Sequence, residues 1–128
     1  MSRPPVISVI DDDSSVRLAT KNLLTSRGLA VHTFASADEF LRSAELNDTS
    51  CVITDVQMSA MSGLDLLTHM RSLGNRTPFI LITAFPNDTV RARALQAGAV
   101  CFLAKPYARL ALIKCLEIAL KGSDGTSA

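Results

Sequence analysis

Five short apolar runs punctuate the chain, at residues 6–10, 30–34, 51–54, 79–83 and 100–104. They are rich in β-branched and aromatic side chains, and Gly, Pro, Asn or Asp residues lie near their ends, the pattern of strands. Between the runs, apolar positions recur at helical spacing. Residues 14–27 carry Val16, Leu18, Ala19, Leu23 and Leu24 and stop at Gly28, a residue type that readily ends a helix. Ser36-Ala37-Asp38-Glu39 reads as a capping box opening a short helix through Phe40 and Leu41;. Residues 63–73 carry Leu64, Leu66, Leu67 and Met70 ahead of Gly74. Residues 88–97 carry Val90, Ala94 and Leu95 ahead of Gly98, and residues 107–121 make the last helix.

Strand and helix therefore alternate five times, which predicts an α/β fold with a parallel sheet and helices on both faces. The strand runs lack alternating polarity, as expected where both sides of a strand are buried. Right-handed crossovers then bring every strand's C-terminal end to one edge of the sheet, where open α/β sheets carry their sites. The pattern sets the domain at 6–121, between a short tail at 1–5 and a small, polar, fraying tail at 122–128.

The residues at that edge carry chemistry. Strand one runs into Asp11-Asp12-Asp13, strand three into Asp55, strand four ends in Thr83-Ala84, and strand five runs into Lys105-Pro106. Taken singly, Asp55 reads as an ordinary loop acid, Thr83 as a strand-end residue and Lys105 as a surface lysine, while Asp13 suits the N-cap of the first helix. Gathered on one edge they mean more. Crowded carboxylates repel, and a hard divalent cation with oxygen ligands, Mg²⁺ best of all, relieves the repulsion. A carboxylate beside such a cation can attack phosphorus and form an acyl phosphate. An ammonium and a hydroxyl can then bind the peripheral phosphoryl oxygens.

Composition narrows the class. The chain has 128 residues, 48% hydrophobic and 20% charged, which excludes a disordered or fibrous protein;. A net charge of +1 gives no field to recruit nucleic acid or an anionic membrane;. No apolar run approaches the ~18 residues of a membrane helix, and none near the N-terminus is long enough for a signal peptide. Cys51, Cys101 and Cys115 lie inside apolar runs without metal spacing and read as buried, reduced thiols of a cytoplasmic protein;. The Asn-x-Thr triplets at Asn47, Asn75 and Asn87 are chance matches without a secretory signal;.

The motifs resemble the response-regulator receiver family over roughly residues 6–120. The matching pieces are Val9-Ile10-Asp11-Asp12-Asp13, Thr54-Asp55-Val56-Gln57-Met58, Met61-Ser62-Gly63, Ile82-Thr83-Ala84, Gly98-Ala99 and Lys105-Pro106. The resemblance implies a flavodoxin-like, doubly wound five-stranded sheet of order 2-1-3-4-5 with five helices. It implies Asp55 as the phosphorylated residue, with a histidine kinase as donor. Asp12, Asp55 and the Gln57 carbonyl become ligands of Mg²⁺, and Asp11 binds through water. Lys105 and Thr83 become the groups that meet the phosphoryl oxygens, Thr83 and Phe102 the switch pair, and Pro106 a cis-bonded proline. Gln57 and Phe85, each two residues past a site residue, become positions that tune phosphate lifetime. Neither is a strong base, which argues against fast self-dephosphorylation. The sequence departs from the family at Ser59, where proline commonly follows the methionine; this loosens the loop between Asp55 and Gly63.

Two rivals use overlapping chemistry. A haloacid-dehalogenase-like phosphatase would make Asp11 the nucleophile through the D-x-D pattern of residues 11–13, but it typically needs a longer chain. A pseudo-receiver or nucleotide binder would lack part of the acid, hydroxyl and lysine set, or would carry a Gly-rich phosphate loop after strand one; neither holds here.

The last helix hints at a partner. At about 100° per residue, Lys114, Glu117 and Lys121 form a polar stripe, and Leu112, Cys115, Leu116 and Ala119 lie opposite. Leu110 falls within the stripe and Ile118 at its border, two aliphatics off the core face that suggest an interface. In this family the output face is formed by helix four, strand five and helix five. The expectation is a homodimer strengthened by phosphorylation, with no direct nucleic-acid contact by this domain and any such contact made through an output domain outside this chain.

Overall fold

The computed structural model describes residues 4–125. Its strands are β1 (Val6–Ile10), β2 (Ala30–Phe34), β3 (Cys51–Asp55), β4 (Phe79–Thr83) and β5 (Cys101–Ala104), all paired in parallel in the order β2-β1-β3-β4-β5. Five helices connect or follow them: α1 (Ser14–Thr25), α2 (Ala37–Leu41), α3 (Gly63–Ser72), α4 (Asp88–Gln96) and α5 (Arg109–Gly125). The doubly wound fold and strand order are those expected from the sequence. A single 3₁₀ turn at Leu46–Asp48, not foreseen, leads into β3.

Because successive strand residues point to opposite faces, the sheet sorts its side chains into two apolar layers. Ile7, Val9, Ile53, Ile80 and Ile82 pack with Leu24 of α1 and with Leu112, Leu116 and Ala119 of α5. Ile10, Val52, Phe79, Leu81 and Phe102 pack with α2, α3 and α4 through Phe40, Leu66, Leu67, Met70 and Ala94. Each fully buried aliphatic contributes about 1.5–3 kcal/mol, so the central strands β3 and β4, buried at every position, anchor the sheet. The outer strand β2 opens at His32.

Helix starts follow the local chemistry. Asp13 caps α1, accepting from the Ser15 amide at 2.8 Å. Ser36 caps α2, but Glu39 reaches back to the amide of Ala35 rather than to that of Ser36. Ser62 and Asp65 form a reciprocal capping box at the head of α3 that the sequence reading did not single out. Several boundaries shift by one or two residues, and both ends of the last helix differ from expectation. The last helix begins at Arg109 rather than Tyr107, because Tyr107 packs into the α1–α5 layer. It is described through Gly125, past the expected boundary at Lys121. Residues 1–3 and 126–128, which belong to the expected tails, lie outside the described residues.

Candidate functional site

Parallel registration carries the sequence-distant residues to one edge. Ile10 pairs with Thr54, Asp55 with Ile82, and Thr83 with Ala104. Asp11 and Asp55 therefore leave neighbouring strands at nearly the same level. Backbone bonds prolong the sheet there: the Asp11 amide donates to Phe34 O, Val56 to Ile82 O, and Lys105 to Thr83 O at 2.8 Å.

The site centres on an ammonium between two carboxylates. Lys105 Nζ lies 2.6 Å from Asp55 Oδ2 and 3.2 Å from Asp11 Oδ2. Both acids are nearly closed off, Asp11 at 3% and Asp55 at 6% exposure. The other carboxylate oxygens are held by turns of their own chain: Asp11 Oδ1 accepts from the Asp13 amide, and Asp55 Oδ1 from the Gln57 amide, each at 2.9 Å. Such bonds fix both carboxylates in orientation before any ligand arrives.

Burial raises the pKa of Asp11; the Asp13 amide and Lys105 pull it down but do not cancel the rise. Burial alone would lower the Lys105 ammonium, yet the hydrogen bond it donates to Asp55, with the charge of Asp11 and the hydrogen bond donated to it, carries it above its ordinary value. The two directions are compatible. One ammonium serves two acids and sits closer to Asp55, so Asp11 is the less compensated of the pair.

Thr83 is fully buried, and its hydroxyl donates to Gln57 Oε1 at 2.6 Å while accepting from the Phe85 amide at 3.0 Å. Phe85 itself is exposed. Phe102 is buried against α4, with the Arg91 guanidinium 5.6 Å from its ring centre. The Lys105-Pro106 bond is cis. Asp12 is exposed and Asp13 is occupied as a cap. Among the described residues, no three His, Cys, Asp or Glu side chains stand together in a geometry that could hold a metal ion.

Three supporting contacts were not read from the sequence. Arg17 donates to the Asp11 carbonyl at 2.6 Å, pinning the acidic turn from one helix turn away. Gly63 sits so close that a Cβ there would collide with the Asp55 carbonyl and come within 3.1 Å of Thr54 Cγ2. The Met61-Ser62-Gly63 motif signalled this position without its reason. Finally, the Gln57 side chain reaches the Thr83 hydroxyl, a contact that depends on a side-chain conformation. In the loop that lacks the family's proline, Ala60 adopts φ +64°, a left-handed conformation uncommon for a residue with a Cβ;.

Leu110 and Ile118 stand out from α5, at 70% and 59% exposure, while Leu112, Cys115, Leu116 and Ala119 are buried. Of the cysteines, Cys51 and Cys115 are buried, but Cys101 is only partly so because β5 is an outer strand. No helix among the described residues is long and apolar enough to cross a membrane.

A doubly wound parallel sheet with two acids and a lysine gathered at its carboxyl edge narrows the chain to one class of fold and site. The response regulator receiver domain model matches residues 7–117, and the chain belongs to that family. It is 38% identical over 119 residues to the response regulator protein TodT of Pseudomonas putida, covering 93% of this chain and 52% of that one. It is 40% identical to nodulation protein W of Bradyrhizobium diazoefficiens over 83% of this chain and 47% of that one. Among solved structures it matches response regulator StyR with a TM-score of 0.89 at 35% identity, covering 97% of this chain and 63% of that one. It matches FixJ-N with a TM-score of 0.83 at 32% identity, covering 94% and 96%. The chain spans about half the length of the curated relatives it matches. It is thus a receiver domain of two-component response regulators, a signalling domain rather than an enzyme in the ordinary sense.

Proposed function

We propose that this domain takes a phosphoryl group onto Asp55 from a histidine kinase and converts it into a change of surface. The observation that carries the reading is the Lys105 ammonium held between Asp55 and Asp11 at the sheet edge. A carboxylate oxygen of Asp55 attacks phosphorus; the new P–O bond forms as the P–N bond of the donor phosphohistidine breaks, and the departing imidazole takes up a proton. Lys105, already in contact with Asp55, follows the negative charge onto the phosphoryl oxygens, and the Thr83 hydroxyl supplies a second contact.

The donor set suits Mg²⁺, since Asp11, Asp12, Asp55 and the Gln57 carbonyl offer only oxygen. Asp12, Asp55 and the Gln57 carbonyl would hold the ion directly and Asp11 through water. When bound, the ion supplies positive charge that offsets the crowded carboxylates and the phosphoryl oxygens.

The phosphorylated state is favoured when Thr83 turns toward the phosphoryl group and Phe102 moves with it, which biases a two-state equilibrium. The change is read on the face of α4, β5 and α5, where Leu110 and Ile118 form a homodimer contact strengthened by phosphorylation. Gln57 and Phe85 border the approach of water to the acyl phosphate, and with no strong base there the phosphoryl group is long-lived. The domain works in the cytoplasm. Contact with nucleic acid, where it occurs, belongs to an output domain rather than to this near-neutral one.

Incubation with acetyl phosphate and Mg²⁺, followed by intact mass, tests the reading. The expected result is one added phosphoryl group that is absent in Asp55→Asn. A mass gain that survives the substitution overturns it.

A further inference from the structure

The Thr83 hydroxyl has one proton to give. In this structure that proton goes to Gln57 Oε1 at 2.6 Å, and the Phe85 amide fills a lone pair of the same oxygen at 3.0 Å. The Phe85 bond does not compete with a phosphoryl group, because it uses Thr83 as an acceptor. The Gln57 bond does. For Thr83 to donate to a phosphoryl oxygen on Asp55, it must release the Gln57 amide.

Gln57 is well placed for this competition. Its backbone amide donates to Asp55 Oδ1 at 2.9 Å, and its side chain holds the Thr83 hydroxyl, so one residue bridges the acceptor carboxylate and the switch. The residue is otherwise exposed, whereas Thr83 is fully buried. The bond links the loop following β3, which carries Gln57, to the last residue of the neighbouring strand β4, Thr83.

We propose that the Gln57 side chain is a latch that holds the Thr83 hydroxyl in the unphosphorylated orientation and competes with the phosphoryl group for its proton. Gln57 is thus a positioning residue acting through Thr83, distinct from any effect it has on water. The inference rests on the reading of Asp55 as the phosphoryl acceptor. A neutral hydrogen bond of this kind shifts an equilibrium by about fivefold, the factor that corresponds to roughly 1 kcal/mol.

The test is a double-mutant cycle on beryllofluoride binding, with saturating Mg²⁺ and calorimetric detection. Gln57→Met keeps the side-chain length and removes the acceptor. It is expected to tighten beryllofluoride binding by about fivefold in the wild-type background. In a Thr83→Ala background the same substitution is expected to change binding by less than about twofold, because no hydroxyl remains to be latched. Thermal unfolding of each variant confirms that the compared proteins are folded. An equal effect in both backgrounds, or weaker binding by Gln57→Met, overturns the latch while leaving the acceptor reading intact. If the wild-type chain neither binds beryllofluoride nor gains a phosphoryl group from acetyl phosphate, the acceptor reading fails and the latch with it.

Discussion

Lys105 Nζ lies 2.6 Å from Asp55 Oδ2 although 50 residues separate them, and the same ammonium touches Asp11 at 3.2 Å. Two acids share one cation in a nearly closed site, so substitutions within this cluster should differ in sign. Lys105→Met leaves two buried carboxylates without a partner and is expected to lower stability by about 1–3 kcal/mol, less than for a fully enclosed pair because the lysine is partly open. Asp11→Asn removes the less compensated acid and leaves the Lys105–Asp55 pair. Stability is expected to stay level or rise by on the order of 1 kcal/mol. Urea denaturation of both variants at neutral pH measures this, and a loss of similar size in each contradicts the account of unequal sharing.

Gly63 tests how Asp55 is held in place. Its amide donates to Val56 O at 3.1 Å, and a Cβ at this position would strike the Asp55 carbonyl. The obstacle is backbone rather than the end of a flexible side chain, so it cannot yield without moving β3 or α3. Gly63→Ala is expected to cost about 1–3 kcal/mol. It should also slow phosphorylation by acetyl phosphate, because Asp55 must shift. Wild-type stability together with a wild-type phosphorylation rate would show that the close approach does not matter.

Leu110 and Ile118 lie far outside the packed face of α5. Leu110→Glu with Ile118→Glu is therefore expected to change unfolding free energy by no more than about 0.5 kcal/mol per site. The same pair should abolish the mass increase that light scattering is expected to show after phosphorylation. Retained phosphorylation-linked dimerisation in the double variant would remove this surface from the interface.

The thiols should separate by burial. Burial pushes the Cys51 thiol far above its usual range and that of Cys115 up to about 12, and thiolate is the reactive form. In native protein, Ellman's reagent is expected to titrate Cys101 first, with Cys51 and Cys115 reacting only on unfolding. Rapid reaction of all three in the folded protein would contradict the buried placement.

Much of this was legible in the sequence. The five strands are readable because fully buried parallel strands leave unbroken apolar runs, as in Phe79–Thr83, and the alternation with helices fixes a parallel sheet. The convergence of Asp11, Asp55, Thr83 and Lys105 follows from topology alone, since parallel strands end on one edge. The Asp13 cap follows from its position before Ser14. What stayed hidden depends on side-chain conformation or close approach. The sequence offers no sign that Arg17 turns back to the Asp11 carbonyl, or that Gln57 chooses Thr83 over solvent. Arg71 is similar: its guanidinium bonds the carbonyls of Asn75 and Thr77 and lies 5.7 Å from the centre of the Phe79 ring, tying the turn after α3 to β4. The Ser62–Asp65 capping box was readable by its spacing. The start of α5 was not, because the packing of Tyr107 overrides the helical pattern.

The most direct test asks which carboxylate carries the phosphoryl group. Protein treated with acetyl phosphate and Mg²⁺ is reduced with borohydride, which converts an aspartyl phosphate to homoserine, and is then mapped by peptide mass spectrometry. The account predicts homoserine at position 55 alone. Homoserine at position 11, or at no aspartate in protein that has gained phosphate, would contradict it.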